Sequence, residues 1–178
     1  MKAQSTLNES SSEPLRIIRL TETSDEALQL LQEYYEAVHV VQRDTPEKIQ
    51  SILDDRASGM WIAYLAEKAV GCVVLRKLSS IPRAAECKRL YVQPSARGHR
   101  IADKLMNALE GFASTQGLDS IYLDSYHDLK AAIALYRKRG YTECERYNDN
   151  PQATIFLRKP LDKSLRRRSS GRIPGADG

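Results

Sequence analysis

A short basic turn is the first place in this sequence where residue types and spacing suggest chemistry. It joins a predicted strand to a predicted helix and reads Arg97-Gly98-His99-Arg100-Ile101-Ala102. The first backbone N–H groups of a helix lack partners within the helix and carry the positive end of its dipole, so they bind phosphate readily. The two arginines add full charges. The turn therefore predicts an anion site, although taken alone it is equally typical of a solvated basic loop.

Tyr136 is the second candidate, on an alanine-rich segment from Ala131 to Tyr141 that predicts a helix ended by Gly140. Its position on the inner stripe of that helix is, by itself, more typical of a core residue than of a catalyst.

The periodicity of apolar residues predicts the elements that must position these groups. Strands are predicted over 15–20, 60–66, 70–78, 85–92, 121–126, 141–146 and 153–158, and helices over 25–39, from Pro46, over 98–116 and over 129–139. Ser24, Pro46 and Asp128 suit helix starts, and Gly117 and Gly140 suit helix ends. The predicted order is β-α-α-β-β-β-α-β-α-β-β.

The strand over 85–92 has polar residues on both of its faces. Strict alternation places Glu86, Lys88, Leu90 and Val92 on one face and Cys87, Arg89 and Tyr91 on the other. We expect a central strand with a polar site beside it.

The net charge of the chain comes from one end of it. The chain has 178 residues and a formal net charge of +4, and residues 159–178 alone carry six Lys or Arg against two Asp. The remaining residues therefore sum to zero. This distribution gives no support to a nucleic-acid-binding surface on the folded body.

The length predicts one folded domain over 15–161. The serine-rich segment 1–14 and the basic segment 162–178 are predicted to be a disordered leader and a disordered tail. Neither a membrane span nor a signal peptide is predicted, so we expect an intracellular protein in the cytoplasm, with the nucleus as an alternative because of Arg166–Arg168. The three Cys and three His are scattered, which predicts reduced thiols and no metal site.

Taken together and in this order, the two candidate segments resemble the GNAT superfamily of acyl-CoA N-acyltransferases. The family's phosphate-binding pattern is matched by residues 97–102, and its later signature is matched by Leu135-Tyr136 followed by Gly140-Tyr141. Residues 86–92 resemble the family's fourth strand, and Tyr147 with Asn150-Pro151 resembles a loop of some small microbial members. The resemblance covers residues 15–158 and implies an α+β fold, with a mixed, mostly antiparallel sheet of seven strands flanked by four helices.

Two positions depart from the family pattern. Arg100 stands where the family usually has Gly, and Leu129 stands where many members carry Asn. We expect Arg100 to take helical dihedral angles, so that its N–H stays available while its side chain swings outward.

The resemblance also implies a mechanism. The fourth and fifth strands part, acyl-CoA lies between them, and its contacts are Leu90, Tyr91, Val92, Arg97, Gly98, His99, Arg100, Ile101 and Ala102. Glu86 is the implied base for an attacking amine, although a strand glutamate paired with Lys88 or Arg89 for solubility explains it as well. Tyr136 is the implied acid for the departing thiolate. Glu33, Tyr34 and Tyr35 are the implied wall of the acceptor site, although the solvated face of an amphipathic helix explains them as well.

The sequence thus predicts an N-acetyltransferase that moves an acetyl group from acetyl-CoA to a primary amine of a small molecule or peptide by direct attack. Two alternatives stay open: a catalytically silent acyl-CoA-binding module, and a protein or nucleic-acid partner acting through the basic tail. Unchanged RNA or DNA binding after truncation at Leu161 would exclude a role of the tail in such binding. The acceptor, the acyl chain and the oligomeric state, including a homodimer, stay undetermined.

Overall fold

A seven-stranded sheet forms the centre of the protein, in a computed structural model that describes residues 14–162. Its strands are β1 (Leu15–Arg19), β2 (Gly59–Leu65), β3 (Lys68–Lys77), β4 (Ala84–Val92), β5 (Ser120–Ser125), β6 (Thr142–Glu143) and β7 (Ile155–Pro160). They lie in the order β1-β2-β3-β4-β5-β7-β6, and every neighbouring pair is antiparallel except β4 and β5. The predicted fold class and element order are confirmed.

Four α-helices cover the sheet within this part of the chain: α1 (Asp25–Ala37), α2 (Pro46–Asp54), α3 (Ile101–Thr115) and α4 (Lys130–Lys138). The Ser24 side chain caps α1 by accepting from the Ala27 N–H, and Thr45 caps α2 in the same way, with Pro46 in the first turn. The leader predicted over 1–14 and the tail predicted over 162–178 lie outside the described residues, apart from Pro14 and Asp162.

The two faces of the sheet carry separate cores. α3 and α4 pack on the face that presents Leu75, Cys87 and Ile121. α1 and α2 pack on the other face, against Ile62 and Val74. The described helices include none with the length and hydropathy of a membrane span.

Most predicted element ends shift by one or two residues, and three differences go further. α3 begins at Ile101 and not at residue 98, because Gly98 and Arg100 both have positive φ angles that no right-handed helix accepts. Leu129, and not Asp128, occupies the cap position of α4. β6 has only two residues. Beyond it the chain leaves the sheet for a loop over 144–154, in which the Arg146 guanidinium donates to the carbonyls of residues 148, 150 and 153.

A bulge in β4 overturns the strict alternation predicted for this strand. Cys72 pairs with Tyr91 and Val74 with Lys88, so β4 has one residue more than β3 in this interval, and Arg89 takes a φ of 59°. An extra residue reverses the faces of all that follow it. Leu90 and Val92 therefore pack with the core under α3, whereas Glu86 and Tyr91 face α1 and α2.

The parallel pair β4 and β5 is joined over only three residues on each strand. Ala84, Ala85 and Glu86 pair with Ser120, Ile121 and Tyr122. Past this point β5 stays paired with β7 as far as Ser125, while β4 keeps β3 as its one neighbour within residues 14–162. The two strands part, and in this part of the chain no strand pairs with the outer edge of β4 from Lys88 to Val92.

Gly71 should be essential to the bulge. A Cβ at this position would lie 2.7 Å from the Tyr91 carbonyl oxygen, which is backbone and cannot move aside cheaply. We expect Gly71→Ala to lower the free energy of unfolding by about 1–3 kcal/mol through overpacking. Urea denaturation followed by circular dichroism measures this change.

Gly111→Ala is the matched control, because a Cβ there meets nothing within 4 Å. Gly111 lies inside α3, so this variant should gain about 0.5–1 kcal/mol from helix propensity. Equal stabilities of the two variants would contradict the close approach of β3 and β4.

Candidate active site

A cleft of about 1400 Å³ opens where β4 and β5 part. One wall consists of Leu90 and Val92 on β4, Ala102 on α3, and Leu129, Leu135 and Tyr136 at α4. The other wall consists of Tyr34, the loop between α1 and α2, and the loop over 148–154. Lys88 and Asp124 lie between the walls, on the two parted strands.

Tyr136 reaches this cleft from α4. Its side chain is 8% exposed, and its hydroxyl has no hydrogen bond to any described residue, yet it is not among the fully buried polar atoms without partners. Burial raises the pKa of Tyr136 well above its usual value, and Cys87, Tyr34 and Asp124 add to this rise. The hydroxyl therefore stays protonated near pH 7 and has a proton to donate into the cleft.

The turn over 97–102 presents unpaired backbone donors. The first hydrogen bond of α3 runs from the Lys104 N–H to the Arg100 carbonyl at 3.2 Å. The N–H groups of Ile101, Ala102 and Asp103 therefore have no carbonyl acceptor within the helix. A Cβ at Gly98 would meet nothing within 4 Å, which leaves this side of the turn open. Arg97 and Ala102 line the cleft itself, whereas the Ile101 side chain lies in the core.

The helical dihedral angles predicted for Arg100 are wrong. It has φ 56° and ψ 29°, the left-handed conformation, for which glycine pays no steric penalty. Its side chain is 76% exposed and approaches Asp103 at 3.6 Å. The side chain does swing outward, and the backbone N–H groups of the turn remain accessible.

Glu86 lies behind the cleft, and both of its oxygens have partners. It is fully buried, with the Arg76 guanidinium at 2.6 Å from Oε2 and the Lys88 ammonium at 3.1 Å from Oε1. The Tyr147 hydroxyl and the Asn148 amide both donate to Oε1, at 2.8 and 2.9 Å. Its predicted face, shared with Leu90 and Val92, is wrong because of the bulge. Its role as a base stays a prediction.

The three residues predicted for the acceptor wall lie in different places. Only Tyr34 lines the cleft. Glu33 lines a separate hollow and accepts from the Gln93 amide at 3.0 and 3.2 Å. Tyr35 is buried, its hydroxyl donates to Asp44, and burial raises its pKa to about 12.

The structure adds charged residues that the sequence did not single out. Asp124 and Lys88 form an ion pair at 3.2 Å across the parted strands, and the Asn148 amide donates to the same carboxylate oxygen. Arg89 pairs with Asp44 at 2.9 Å and ties the loop between α1 and α2 to the bulge. The signal for Asp124 is its place on β5 just past the last pair with β4. No three His, Cys, Asp or Glu side chains within residues 14–162 form a group that could hold a metal ion.

Gln152 joins two loops of the cleft wall that contains Tyr34: the loop between α1 and α2 and the loop over 148–154. Its amide donates to the His39 carbonyl at 3.0 Å and accepts from the Val41 N–H at 2.9 Å. One side chain therefore fixes the distance between segments more than a hundred residues apart in the chain.

A comparison of the sequence with models of known protein families identifies the family of this chain. A model described as the Acetyltransferase (GNAT) family matches residues 24–141. The chain belongs to this family. The resemblance inferred from residues 97–102 and 135–141 is thereby confirmed.

Relatives and solved structures agree with this assignment. The IAA acetyltransferase of Azospirillum brasilense is 37% identical over 103 residues, 56% of this chain and 66% of that protein. An uncharacterised N-acetyltransferase of Schizosaccharomyces pombe is 31% identical over 96 residues, 53% of this chain and 58% of that protein. Both matches thus span less than two thirds of the relative. PaiA N-acetyltransferase of Thermoplasma acidophilum, solved in complex with coenzyme A, has a TM-score of 0.66 at 16% identity over 83% of this chain and 99% of that one. It shows the fold alone.

The residues of this chain fit an acyl-CoA. The turn at the start of α3 offers backbone donors and Arg97 for phosphates, and the unpaired edge of β4 offers backbone groups for an extended amide-bearing arm. Both lie along the cleft that Tyr136 lines.

Arg100→Gly tests whether the turn binds phosphate through its backbone. Glycine removes the left-handed strain, so we expect the free energy of unfolding to rise by up to about 1 kcal/mol, part of the strain relief being offset by the freer unfolded chain. We expect CoA affinity to stay within about threefold, since an exposed charge contributes little. Calorimetric titration with CoA and denaturant unfolding measure both quantities.

Arg100→Ala is the control, because it removes the charge and keeps the strain. A loss of about tenfold or more in CoA affinity in both variants would show that the guanidinium itself binds the phosphates.

Proposed function

We propose that this protein transfers an acetyl group from acetyl-CoA to a primary amine by direct attack. The observation that carries the proposal is the protonated, unpartnered hydroxyl of Tyr136 in the cleft that also holds the open edge of β4 and the amide turn of α3. Membership of the GNAT family supports the acyltransferase class. We infer in addition that acetyl-CoA is the donor and a primary amine the acceptor.

Acetyl-CoA supplies a thioester, whose carbonyl carbon the amine nitrogen attacks. The carbon–nitrogen bond forms, the carbon–sulfur bond breaks, and its electron pair leaves on sulfur. The Tyr136 hydroxyl donates a proton to that sulfur and regains one from the nitrogen, so that the products are an amide and a free thiol.

Direct attack is supported by the state of the nearby thiol. Cys87 borders the cleft, but its Sγ lies 3.7 Å from the Met106 sulfur, and burial raises its pKa far above the usual range. A neutral thiol in this setting is a poor nucleophile, which disfavours a covalent acyl-enzyme.

The attacking amine must lose a proton first. An alkylamine with a pKa near 10 is mostly protonated at pH 7, so the site needs an acceptor for one proton before attack. Glu86 is the residue that the sequence predicts for this task, and its four partners make direct contact with an amine impossible without their rearrangement.

Tyr136→Phe is expected to lower kcat by about ten- to a hundredfold, which corresponds to about 1.4–2.7 kcal/mol, because the thiolate then leaves without a proton donor. Acyl-CoA affinity should be nearly unchanged, since Phe keeps the packing of the ring on Tyr141. Thiol release from acetyl-CoA, measured over a panel of amines, amino acids, polyamines and histone-like peptides, gives the rate.

Tyr126→Phe is the matched control, because this tyrosine also lines the cleft but is 41% exposed. It should retain full turnover. Unaltered turnover in Tyr136→Phe would remove Tyr136 from the mechanism. Tight acetyl-CoA binding without thiol release for any acceptor would instead favour the silent binding module.

A further inference from the structure

We propose that Asp124 binds the ammonium form of the acceptor and takes its first proton. The inference rests on the function proposed above and assigns a catalytic residue within it. Asp124 follows Leu123 on β5, two residues past the last pair with β4, so its side chain stands where the strands have parted. It lines the cleft, whereas Glu86 does not.

The two carboxylate oxygens of Asp124 have different surroundings. Oδ2 accepts from the Lys88 ammonium at 3.2 Å and from the Asn148 amide. Oδ1 has no donor among the described residues, and it is absent from the fully buried polar atoms that lack partners, so it keeps accessible surface. The side chain as a whole is 9% exposed. One oxygen is held in place, and the other is free to meet a ligand.

Asp124 lies near the hydroxyl that serves the other half of the reaction. Its negative charge contributes to the raised pKa of both Tyr136 and Tyr34. A carboxylate oxygen and a protonated phenol thus face one cleft, which is the arrangement that removes one proton from an ammonium and delivers another to a leaving sulfur.

The neighbouring charges keep Asp124 suited to this task. Lys88 contacts both Asp124 and Glu86, and Glu86 also contacts Arg76, so the four residues form a cluster with two positive and two negative charges. The charge of Glu86 balances that of Lys88. The cluster therefore has no excess positive charge that would repel a second cation. An incoming ammonium ion meets a neutral group with one exposed carboxylate oxygen.

The proton balance of the step is complete. The N–H bond of the ammonium breaks, its electron pair stays on nitrogen, and the proton forms an O–H bond with Asp124 Oδ1. The neutral amine then attacks, and Asp124 returns its proton to water when the products leave. No other reactant is needed.

Asp124→Asn is the direct test, with the amine that wild-type protein acetylates fastest in the panel. Asn keeps the shape and can still accept from Lys88 and Asn148. We expect kcat at pH 7 to fall by about a hundredfold or more, with acetyl-CoA affinity unchanged by calorimetry. Asp124→Glu, which keeps the carboxylate, should retain more activity than Asp124→Asn.

The pH profile separates a proton acceptor from a merely structural residue. The titratable groups facing Asp124 are Lys88 and Glu86 from β4, Tyr34 from α1, Tyr136 from α4 and Tyr147 from the loop over 144–154, with Arg89 beside Tyr34. Without the acceptor, turnover depends on the free-amine fraction in solution, which rises about tenfold per pH unit below the pKa of the amine. The deficit of Asp124→Asn should therefore shrink as pH rises from 7 to 9.

Two further variants complete the test. Asp128→Asn removes a carboxylate that also borders the cleft, 61% exposed and paired with His127, and it should keep wild-type turnover. Glu86→Gln should lower thermal stability more than Asp124→Asn does, because it removes the fully buried carboxylate that pairs with both Arg76 and Lys88 and leaves Arg76 without its counter-charge.

The outcomes are distinct. Turnover by Asp124→Asn within about threefold of wild type at pH 7, or a deficit that does not change with pH, overturns the assignment. A loss in Glu86→Gln that is larger and pH-dependent, in protein of unchanged stability, returns the role to Glu86. Absence of thiol release from wild-type protein with every amine overturns the proposed function as well.

Discussion

The parting of β4 and β5 after the pair Glu86–Tyr122 is the constraint on which the site depends. A sheet edge inside a protein exposes backbone donors and acceptors that need partners, and here those of residues 88–92 face a cleft. The same divergence leaves room between the strands for the side chains of Lys88 and Asp124, which form an ion pair there. It also leaves an opening that Tyr136 of α4 lines. The unpaired edge of β4, the Lys88–Asp124 ion pair and the position of the Tyr136 phenol are therefore consequences of one break in strand pairing.

Glu86 lies at the last pair between β4 and β5, and its contacts join β3, β4 and the loop over 144–154. A fully buried carboxylate is costly unless it is paired and hydrogen-bonded, and Glu86 has two cations and two neutral donors. Two of those donors, Tyr147 and Asn148, belong to the loop that forms one cleft wall. The Glu86 carboxylate thus also positions the loop over 144–154, which is distant in sequence. Non-glycine residues with positive φ angles occur around this site at His39, at the bulge residue Arg89 and at Arg100 in the turn before α3.

Local motifs were readable from the sequence, and long-range geometry was not. The segments 97–102 and 131–141 could be singled out because short motifs are properties of adjacent residues, and the roles of their residues stay predictions. The bulge at Arg89 could not, since alternation is assumed until an extra residue interrupts it, and the faces of Leu90 and Val92 were wrong as a result. Glu33 and Tyr35 flank Tyr34 on α1, yet only Tyr34 points to the cleft, because the rotation of a helix about its axis is decided by packing. Tyr147 and Asn148, the loop partners of Glu86 and Asp124, lie 24 to 62 residues away from them, a separation that hydropathy patterns do not encode.

The amide of Gln152 has a consequence for the size of molecule that the protein can admit. Two hydrogen bonds from an exposed side chain contribute about 1 kcal/mol each, so separating the loops costs about 2 kcal/mol and reduces affinity by about thirtyfold. A small ligand leaves both hydrogen bonds of Gln152 intact. A bulky ligand has to break them, and its binding free energy is weaker by that amount. The two hydrogen bonds of one glutamine therefore set the free energy needed to widen this wall of the cleft.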